Sequence, residues 1–503
     1  MNFPVLSVIT FTPIVAALLL LLIPANRKNE ARAIALAAAS FALILSLWVY
    51  FTYDQAAAGY QFIEKYDWLP ALGIGLHFGV DGISAPLVLL TGVVMFTGVL
   101  ISWGDDHPHV MAGIQDRPRE FFAFLFILAT GVLGVFVSLD LFMLIFFYDI
   151  AVFPMYLLIV IWGWSVTREY AAMKLTLYLL IGSIISLAGI LVMFFAQYQN
   201  TGVLSFDMLV MEHAGFSQSF QILWFLPVFL GFAVLGGIWP FHNWSPDGHV
   251  AAPTAVSMFH AGVLMKLGAF AALRVGIMLL PEGAKYWQWL IMAFASIAVV
   301  YGAYIAFVQS DFKYMVGFSS VSHMGLVMLG FSTLNRDGLL GSGLQMFSHG
   351  VMTALFFAVV GMIYDRAHTR QIPELGGMSK VMPFATVGFI IGGLVSMGMP
   401  LFSGFIAEFP IFMGVWKVQW LVAVVCSISI VITAAYIMRN IRQVFFGSMP
   451  EKLEGHITDI TMLDKVAITT LCLFMVVIGL HPKFMAPMVQ TGVEYVLRLL
   501  GGS

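Results

Sequence analysis

Apolar runs of about 20 residues, the length that an α-helix needs to cross the hydrocarbon core of a bilayer, recur along nearly the whole chain. Hydrophobic residues make up 61% of the 503 residues and charged residues only 10%, so the chain cannot cover a soluble core with a polar surface. The sequence therefore predicts an all-α polytopic membrane protein that forms a single membrane domain over 1–503.

We predict about 14 transmembrane helices, with both chain ends on the same side of the membrane. Most Lys and Arg residues outside these helices follow odd-numbered ones, and cytoplasmic loops normally carry this excess. The prediction is a multi-pass protein of a bacterial inner (cytoplasmic) membrane with both termini on the outer side. The net charge of -3 is spread thinly and offers no basic block that would bind nucleic acid. The expected ranges are 4–24, 31–52, 83–103, 120–138, 140–163, 172–197, 222–240, 253–280, 287–308, 312–331, 339–364, 383–403, 411–438 and 463–481.

Two segments, 235–253 and 398–404, place Pro and Gly at membrane depth and so predict two broken helices. Non-helical backbone survives at that depth only where it is buried in protein or faces a hydrated cavity, and paired breaks indicate inverted repeats. The two breaks lie about five spans apart, which suggests two inverted five-helix repeats. The expected parts are N-terminal helices over 1–110, a first repeat over 120–280, a second repeat over 287–440, and a C-terminal helix and tail over 460–503.

A single lysine, Lys266, lies within the otherwise apolar stretch 255–272. An ammonium at bilayer depth costs roughly 2.5 to 3.5 kcal/mol on insertion scales, so such a residue usually faces a partner or a wet cavity. A lysine that reaches back to the interface is the alternative, but the apolar run continues on both sides of this one. Lys266 is therefore predicted to be a functional group.

Four other ionisable residues stand out: Asp149, His323 and His349 inside predicted spans, and Glu408 just after the second predicted break. Each residue also has a purely structural interpretation. Asp149 could cap the backbone carbonyls that a nearby proline leaves without hydrogen bonds, and the histidines could be core residues whose ring nitrogens are hydrogen-bonded. Glu408 could be an acid at the membrane interface. No nucleophile, metal cluster or phosphate loop surrounds them in the sequence. Buried Lys, His, Asp and Glu are the groups from which a proton relay is built.

The motif WPFHNWSPD at 239–247, followed by Ala252-Pro253-Thr254 and Lys266, resembles the antiporter-like proton-conducting subunits of respiratory complex I. The likeness extends over nearly the whole chain, and the stretch YDRAHTR at 364–370 is similar to the chain M branch of NADH-quinone oxidoreductase. The resemblance implies two inverted five-helix repeats around a hydrated axis. Further matching segments are 81–84, 311–313, 319–325 and 345–350.

The resemblance implies a role for each matching residue. Lys266 corresponds to the family's eighth-helix lysine, His323 and His349 to its central histidines, and Glu408 to the carboxylate of the outward half-channel. Protons would move through these groups, driven by quinone reduction elsewhere in a translocase complex, with no redox centre in this chain. NADH or another donor, FMN, iron-sulfur clusters and quinone would belong to partner subunits. The expected partners are other antiporter-like and quinone-site membrane subunits, together with the lipid bilayer.

Two positions depart from the family pattern, because Asp149 stands where the family has glutamate and Leu235 where it has lysine. Without an ammonium opposite, Asp149 loses an attraction of about 4 kcal/mol at a separation of about 4 Å and an effective dielectric of about 20. His260 lies six residues before Lys266, about 600° around an ideal α-helix, and so on a different face. Lys174, on the next helix, is the remaining candidate to replace the lost lysine.

Other functions remain open from the sequence. A subunit of a multisubunit sodium/proton antiporter would show sodium-dependent transport. A haem-binding electron carrier with His323 and His349 as axial ligands would show a Soret band. A non-conducting structural paralogue is also consistent with Leu235.

Overall fold

The structure is a computed structural model, and it describes residues 3–103 and 112–501. Helices dominate because backbone groups in hydrocarbon must form hydrogen bonds within their own segment. The predicted end of the N-terminal region at residue 110 and the last two residues of the predicted tail lie outside the described residues. The long helices are α1 (Val5–Leu22), α2 (Lys28–Thr52), α3 (Ser84–Ile101), α4 (Pro118–Val137), α5 (Leu141–Trp162), α6 (Arg168–Thr201), α7 (Gln218–Leu235), α8 (Trp244–Ala251), α9 (Thr254–Ile277), α10 (Pro281–Val308), α11 (Phe312–Ser332), α12 (Arg336–Ala367), α13 (Pro383–Ser396), α14 (Ser403–Val418), α15 (Trp420–Phe445), α16 (Met462–Leu480) and α17 (Ala486–Leu499). Shorter helical segments are Ala112–Asp116, Met208–Met211 and Met378–Val381, and single 3-10 turns are Pro70–Leu72, Ile372–Glu374, Glu451–Leu453 and Pro482–Phe484.

Thirteen of the helices in the described part of the chain are long and apolar enough to cross a membrane. The 14 residues of α13 and the 16 of α14 are joined by a break, and together they suffice for one more crossing of about 30 Å. The prediction of about 14 transmembrane helices is therefore confirmed. The predicted ranges 383–403 and 411–438 are wrong at their shared boundary, because α14 runs to Val418 and α15 begins only at Trp420.

The first predicted break is present between α7 and α8. The chain leaves α7 after Leu235, passes Gly237 with a φ of 72° and a cis Trp239-Pro240 bond, and re-enters a helix at Trp244. The indole Nε1 of Trp244 donates a hydrogen bond of 3.0 Å to the carbonyl oxygen of Val234. The broken segment thus provides a hydrogen-bond donor for a backbone carbonyl near the end of α7. Backbone groups at membrane depth require such partners within the protein.

The second predicted break is present between α13 and α14. Gly398 has a φ of 63° and Leu401 a φ of 78°, values of the left-handed region that favours glycine. A Cβ added at Gly398 would lie 2.9 Å from Oε2 of Glu408, so the break wraps closely around this carboxylate.

The connection at 53–80 contains an antiparallel hairpin of β1 (Gln61–Leu69) and β2 (Ile74–Val80). Asp207, just after α6, accepts a hydrogen bond of 2.8 Å from Lys65 and lies 3.0 Å from Nδ1 of His77. Burial by itself would raise the pKa of Asp207, but the contacts with His77 and Lys65 outweigh it and lower the pKa to about 2. The charged carboxylate therefore fastens the hairpin to the bundle.

The centre of the bundle is formed by α9 and α12, whose most apolar windows are entirely buried inside the protein. Near one end of α9, Arg274 forms an ion pair with Asp81, and both side chains are almost fully inaccessible. Removing either partner would leave an unpaired buried charge, which typically costs about 3–5 kcal/mol. Polar groups on α9 and α12 consequently face protein rather than lipid.

Candidate functional site: a buried line of ionisable side chains

Lys266 lies on α9 with an exposure of 0%, as the sequence led us to expect. Side chains on a helix point towards its N-terminus, and Nζ of Lys266 donates a hydrogen bond to the carbonyl oxygen of Ala261, five residues earlier. This carbonyl is within reach because His260–Leu264 forms a π-helical turn. No carboxylate in the described part of the chain forms an ion pair with Lys266.

α9 and α12 cross with their backbones in close approach at Gly262 and Gly350. A Cβ added at Gly350 would lie 2.6 Å from the carbonyl oxygen of Gly262, and the reverse distance is 3.1 Å. Gly262 follows the residue that binds Lys266, and Gly350 follows His349. The crossing therefore brings the Lys266 amine and the His349 ring to the same depth of the bundle.

His349 and His323 are brought together, with ring centroids 5.4 Å apart. Nδ1 of His323 lies 3.0 Å from Oε1 of Glu408, and its Nε2 lies 3.1 Å from Oγ of Ser396. Gln345 donates a hydrogen bond of 3.1 Å to the same carboxylate. All three ionisable groups are less than 5% exposed, so Glu408 is not an interfacial acid in this chain. Lys266, His349, His323 and Glu408 thus form one buried line, named here the central line.

The two histidines are poorly placed to ligate haem. Their rings are tilted by only 33° and lie within contact distance, so no macrocycle fits between them, and both nitrogens of His323 already have protein partners. The arrangement argues against the haem-binding alternative.

Asp149 lies apart from the central line. We predicted a buried carboxylate, but Asp149 is exposed on the surface of the single chain, where Oγ of Ser183 donates a hydrogen bond of 2.8 Å to it. The expectation was wrong because α5 is apolar around its whole circumference, so the sequence does not indicate which face turns outward.

Leu235, the other departure from the family pattern, is fully buried at the last residue of α7. Lys174 does not replace the missing ammonium, because its Nζ is held 2.7 Å from Oδ2 of Asp247 in a partly exposed ion pair. Nothing among the described residues supplies a cation opposite Asp149.

Sequence reasoning missed two buried histidines, His242 and His249, and assigned no role to a third, His260. The rings of His249 and His260 are 4.0 Å apart, and neither side chain is accessible. The ring nitrogens of His242 and His260 have no hydrogen-bond partner among the described residues. Their number within 20 residues of a predicted break was a signal in the sequence.

A polytopic bundle with two broken helices and a buried line of proton-exchanging side chains belongs to the class of ion-conducting membrane proteins. Residues 138–433 match the family described as "NADH:quinone oxidoreductase/Mrp antiporter, TM". The "NADH-quinone oxidoreductase subunit M" of Rhodobacter capsulatus is 34% identical over 510 residues, covering 98% of this chain and 96% of the relative. The chain belongs to this family of membrane subunits.

Other known proteins are also similar. "NAD(P)H-quinone oxidoreductase chain 4 3" of Trichormus variabilis is 34% identical over 494 residues, covering 96% of this chain and 89% of the relative. A chain of respiratory complex I from Thermus thermophilus superimposes with a TM-score of 0.88 at 26% identity, covering 99% of this chain and 100% of that one. A chain of the Mrp complex from Dietzia sp. has a TM-score of 0.86 at 18% identity, with both chains fully covered, and shares the fold.

Proposed function

We propose that this chain is a proton-translocating membrane subunit of an NADH-quinone oxidoreductase of the complex I type. The central line of Lys266, His349, His323 and Glu408 carries the proposal, because it joins both broken-helix regions through buried groups that exchange protons. Relatives above 30% identity with the names given above support the same assignment.

In this proposal the amine of Lys266 accepts a proton and becomes an ammonium with no counter-ion, a costly state at this depth. It passes the proton to His349, and His323 relays it, since imidazole takes up and releases protons near neutral pH. Glu408 receives the proton from His323 across their contact of 3.0 Å. The break at Gly398 opens the helix beside Glu408 and offers the route to the outer side.

The redox chemistry belongs to partner subunits in this proposal. NADH or another donor, FMN, iron-sulfur clusters and quinone would be held there, and other antiporter-like and quinone-site subunits would adjoin this chain in the bilayer. The exposed carboxylate of Asp149 supports such a neighbour, because a carboxylate facing lipid would be costly.

The proposal also covers the membrane in which the chain lies and its orientation there. The distribution of Lys and Arg supports a bacterial inner membrane with both termini outside. The two predicted five-helix repeats, 120–280 and 287–440, each include one of the broken helices.

Sodium dependence tests this function. Inverted vesicles that contain the assembled complex are expected to acidify with NADH at the same rate in sodium-free potassium medium as in sodium medium. The ΔpH is followed with a fluorescent amine, and uptake of radioactive sodium is measured in parallel. Collapse of the ΔpH when sodium is added, with uptake of sodium in exchange for the protons, would instead assign the chain to a sodium/proton antiporter.

A double-mutant cycle at Asp149 and Leu235 tests whether the two family positions still interact. The double change Asp149→Glu with Leu235→Lys is expected to pump better than either single change, because the restored ammonium and carboxylate attract each other. The pumping rate of the four forms gives the coupling energy. A coupling of zero would show that the two sites no longer form a regulatory pair. Asp149→Asn is the control, and unchanged pumping in that variant would reduce the acid to a structural group.

A further inference from the structure

A polar cavity of about 310 Å³ opens at the end of the bundle that carries the basic loops. Its charged lining residues are Lys313, Asp365 and Arg370. Nζ of Lys313 donates a hydrogen bond of 2.7 Å to the carbonyl oxygen of Ala252. Arg370 is held by Asp311 at 2.5 Å, so both cations already have partners. Oδ1 of Asp365, in contrast, is buried without a hydrogen-bond partner in the described part of the chain.

The buried histidine pair His249 and His260 lies deeper in the bundle than this cavity. Nε2 of His249 lies 3.0 Å from Oγ of Ser245, whereas its Nδ1 and both nitrogens of His260 have no partner among the described residues. The His260 ring stacks on Trp244 at 5.2 Å. A buried polar group left unsatisfied typically costs about 1–3 kcal/mol, so a purely structural pair would be better replaced by apolar side chains.

α12 connects the cavity to the histidine pair and to the central line. Asp365, Gly361, Phe357, Thr353 and His349 follow one another at intervals of four residues, so they form a ridge along this helix that winds about 160° around it from end to end. The Phe357 ring lies 5.2 Å from the His249 ring, about two helical turns below Asp365.

The contact between α11 and His249 gives a second, independent measure of the depth of the histidine pair. A Cβ added at Gly317, one turn after the cavity residue Lys313, would lie 3.8 Å from Cδ2 of His249. The histidine pair therefore lies directly below the cavity.

His260 also adjoins Lys266. The amine of Lys266 binds the carbonyl oxygen of Ala261, the residue that follows His260, because of the π-helical turn. The peptide group that holds the Lys266 amine is thus the one next to His260. This contact places a second proton-exchanging group at the inner end of the central line.

We propose that protons reach Lys266 from this cavity by way of Asp365, His249 and His260, and that this uptake branch serves in place of the lysine absent at Leu235. The inference rests on the proposed function. Asp365 takes a proton from the cavity, the histidine pair relays it, and the neutral amine of Lys266 becomes the ammonium. No bond other than those to the moving proton changes.

The test uses the assembled complex in vesicles, with pumping measured per NADH oxidised and the amount of complex determined on native gels. Asp365→Asn is expected to lower pumping at least about fivefold at pH 8, and its matched control Asp459→Asn, at the same end of the bundle, to leave pumping unchanged. Formate, a small weak acid that fits the cavity, should restore pumping in Asp365→Asn. Pumping equal to the control, or a loss that formate does not restore, would overturn the role of Asp365.

The histidine pair is tested by His260→Phe, with His213→Phe on the exposed surface as the matched control. His260→Phe keeps the stacking on Trp244 and is expected to lower pumping at least about fivefold while the complex assembles. If that variant does not assemble, His260→Gln replaces it, with the same expected loss. Normal pumping in the assembled variant would exclude the branch. The variant Lys266→Met separates the two proposals. If Lys266→Met loses pumping while His260→Phe pumps normally, the proposed function stands and only the uptake branch is excluded.

Discussion

Replacing Lys266 by Met is expected to lower proton pumping to less than about a tenth of the wild-type value while the complex still assembles. Methionine matches the length of the lysine stem, and removing a buried ammonium that has no counter-ion does not destabilise the bundle. Only the group that holds the proton is lost. Pumping per NADH oxidised in inverted vesicles gives the result, with native gels to determine assembly.

The matched control is Lys417→Met, the same substitution at an exposed lysine that pairs with Asp337. An exposed ion pair contributes at most about 1 kcal/mol, so this variant should pump normally. Near wild-type pumping in Lys266→Met would remove Lys266 from the proton path.

Glu408→Gln is expected to reduce pumping about as strongly as Lys266→Met, because the amide keeps the volume but cannot take up and release a proton. Glu408→Asp should retain more activity, since it keeps the carboxyl group and only lengthens the contact of 3.0 Å with His323. The control Glu494→Gln changes an exposed acid that pairs with Arg336. Equal pumping in the Glu, Gln and Asp forms would leave Glu408 without a role in proton release.

The parts of the fold that hydropathy and backbone chemistry determine could be predicted from the sequence. Bilayer thickness fixes the length of a span, so the number of crossings followed from the apolar runs. Pro and Gly at membrane depth identified both breaks, and the isolation of Lys266 in an apolar run identified its burial. These features depend on local sequence alone.

Features that depend on packing between helices could not be predicted. The π turn at His260–Leu264 adds a residue to one turn of α9 and so brings the carbonyl oxygen of Ala261 within reach of the Lys266 amine, which no periodicity in the sequence indicates. The outward face of Asp149 depends on which side of α5 the neighbouring helices cover. At the boundary between α14 and α15 only Lys417 and Gln419 interrupt the apolar sequence, so hydropathy alone did not separate the two helices.

The central claim is that Lys266 and Glu408 act in series on one proton path. Pumping per NADH oxidised should be measured in the single variants Lys266→His and Glu408→Asp and in the double variant. Both substitutions retain an ionisable group. Steps in series predict that the double variant pumps within about twofold of the slower single variant, because the slower step limits the flow. A double variant whose remaining pumping, as a fraction of wild type, equals the product of the two single fractions would show that the residues act independently, and would contradict a single path through this chain.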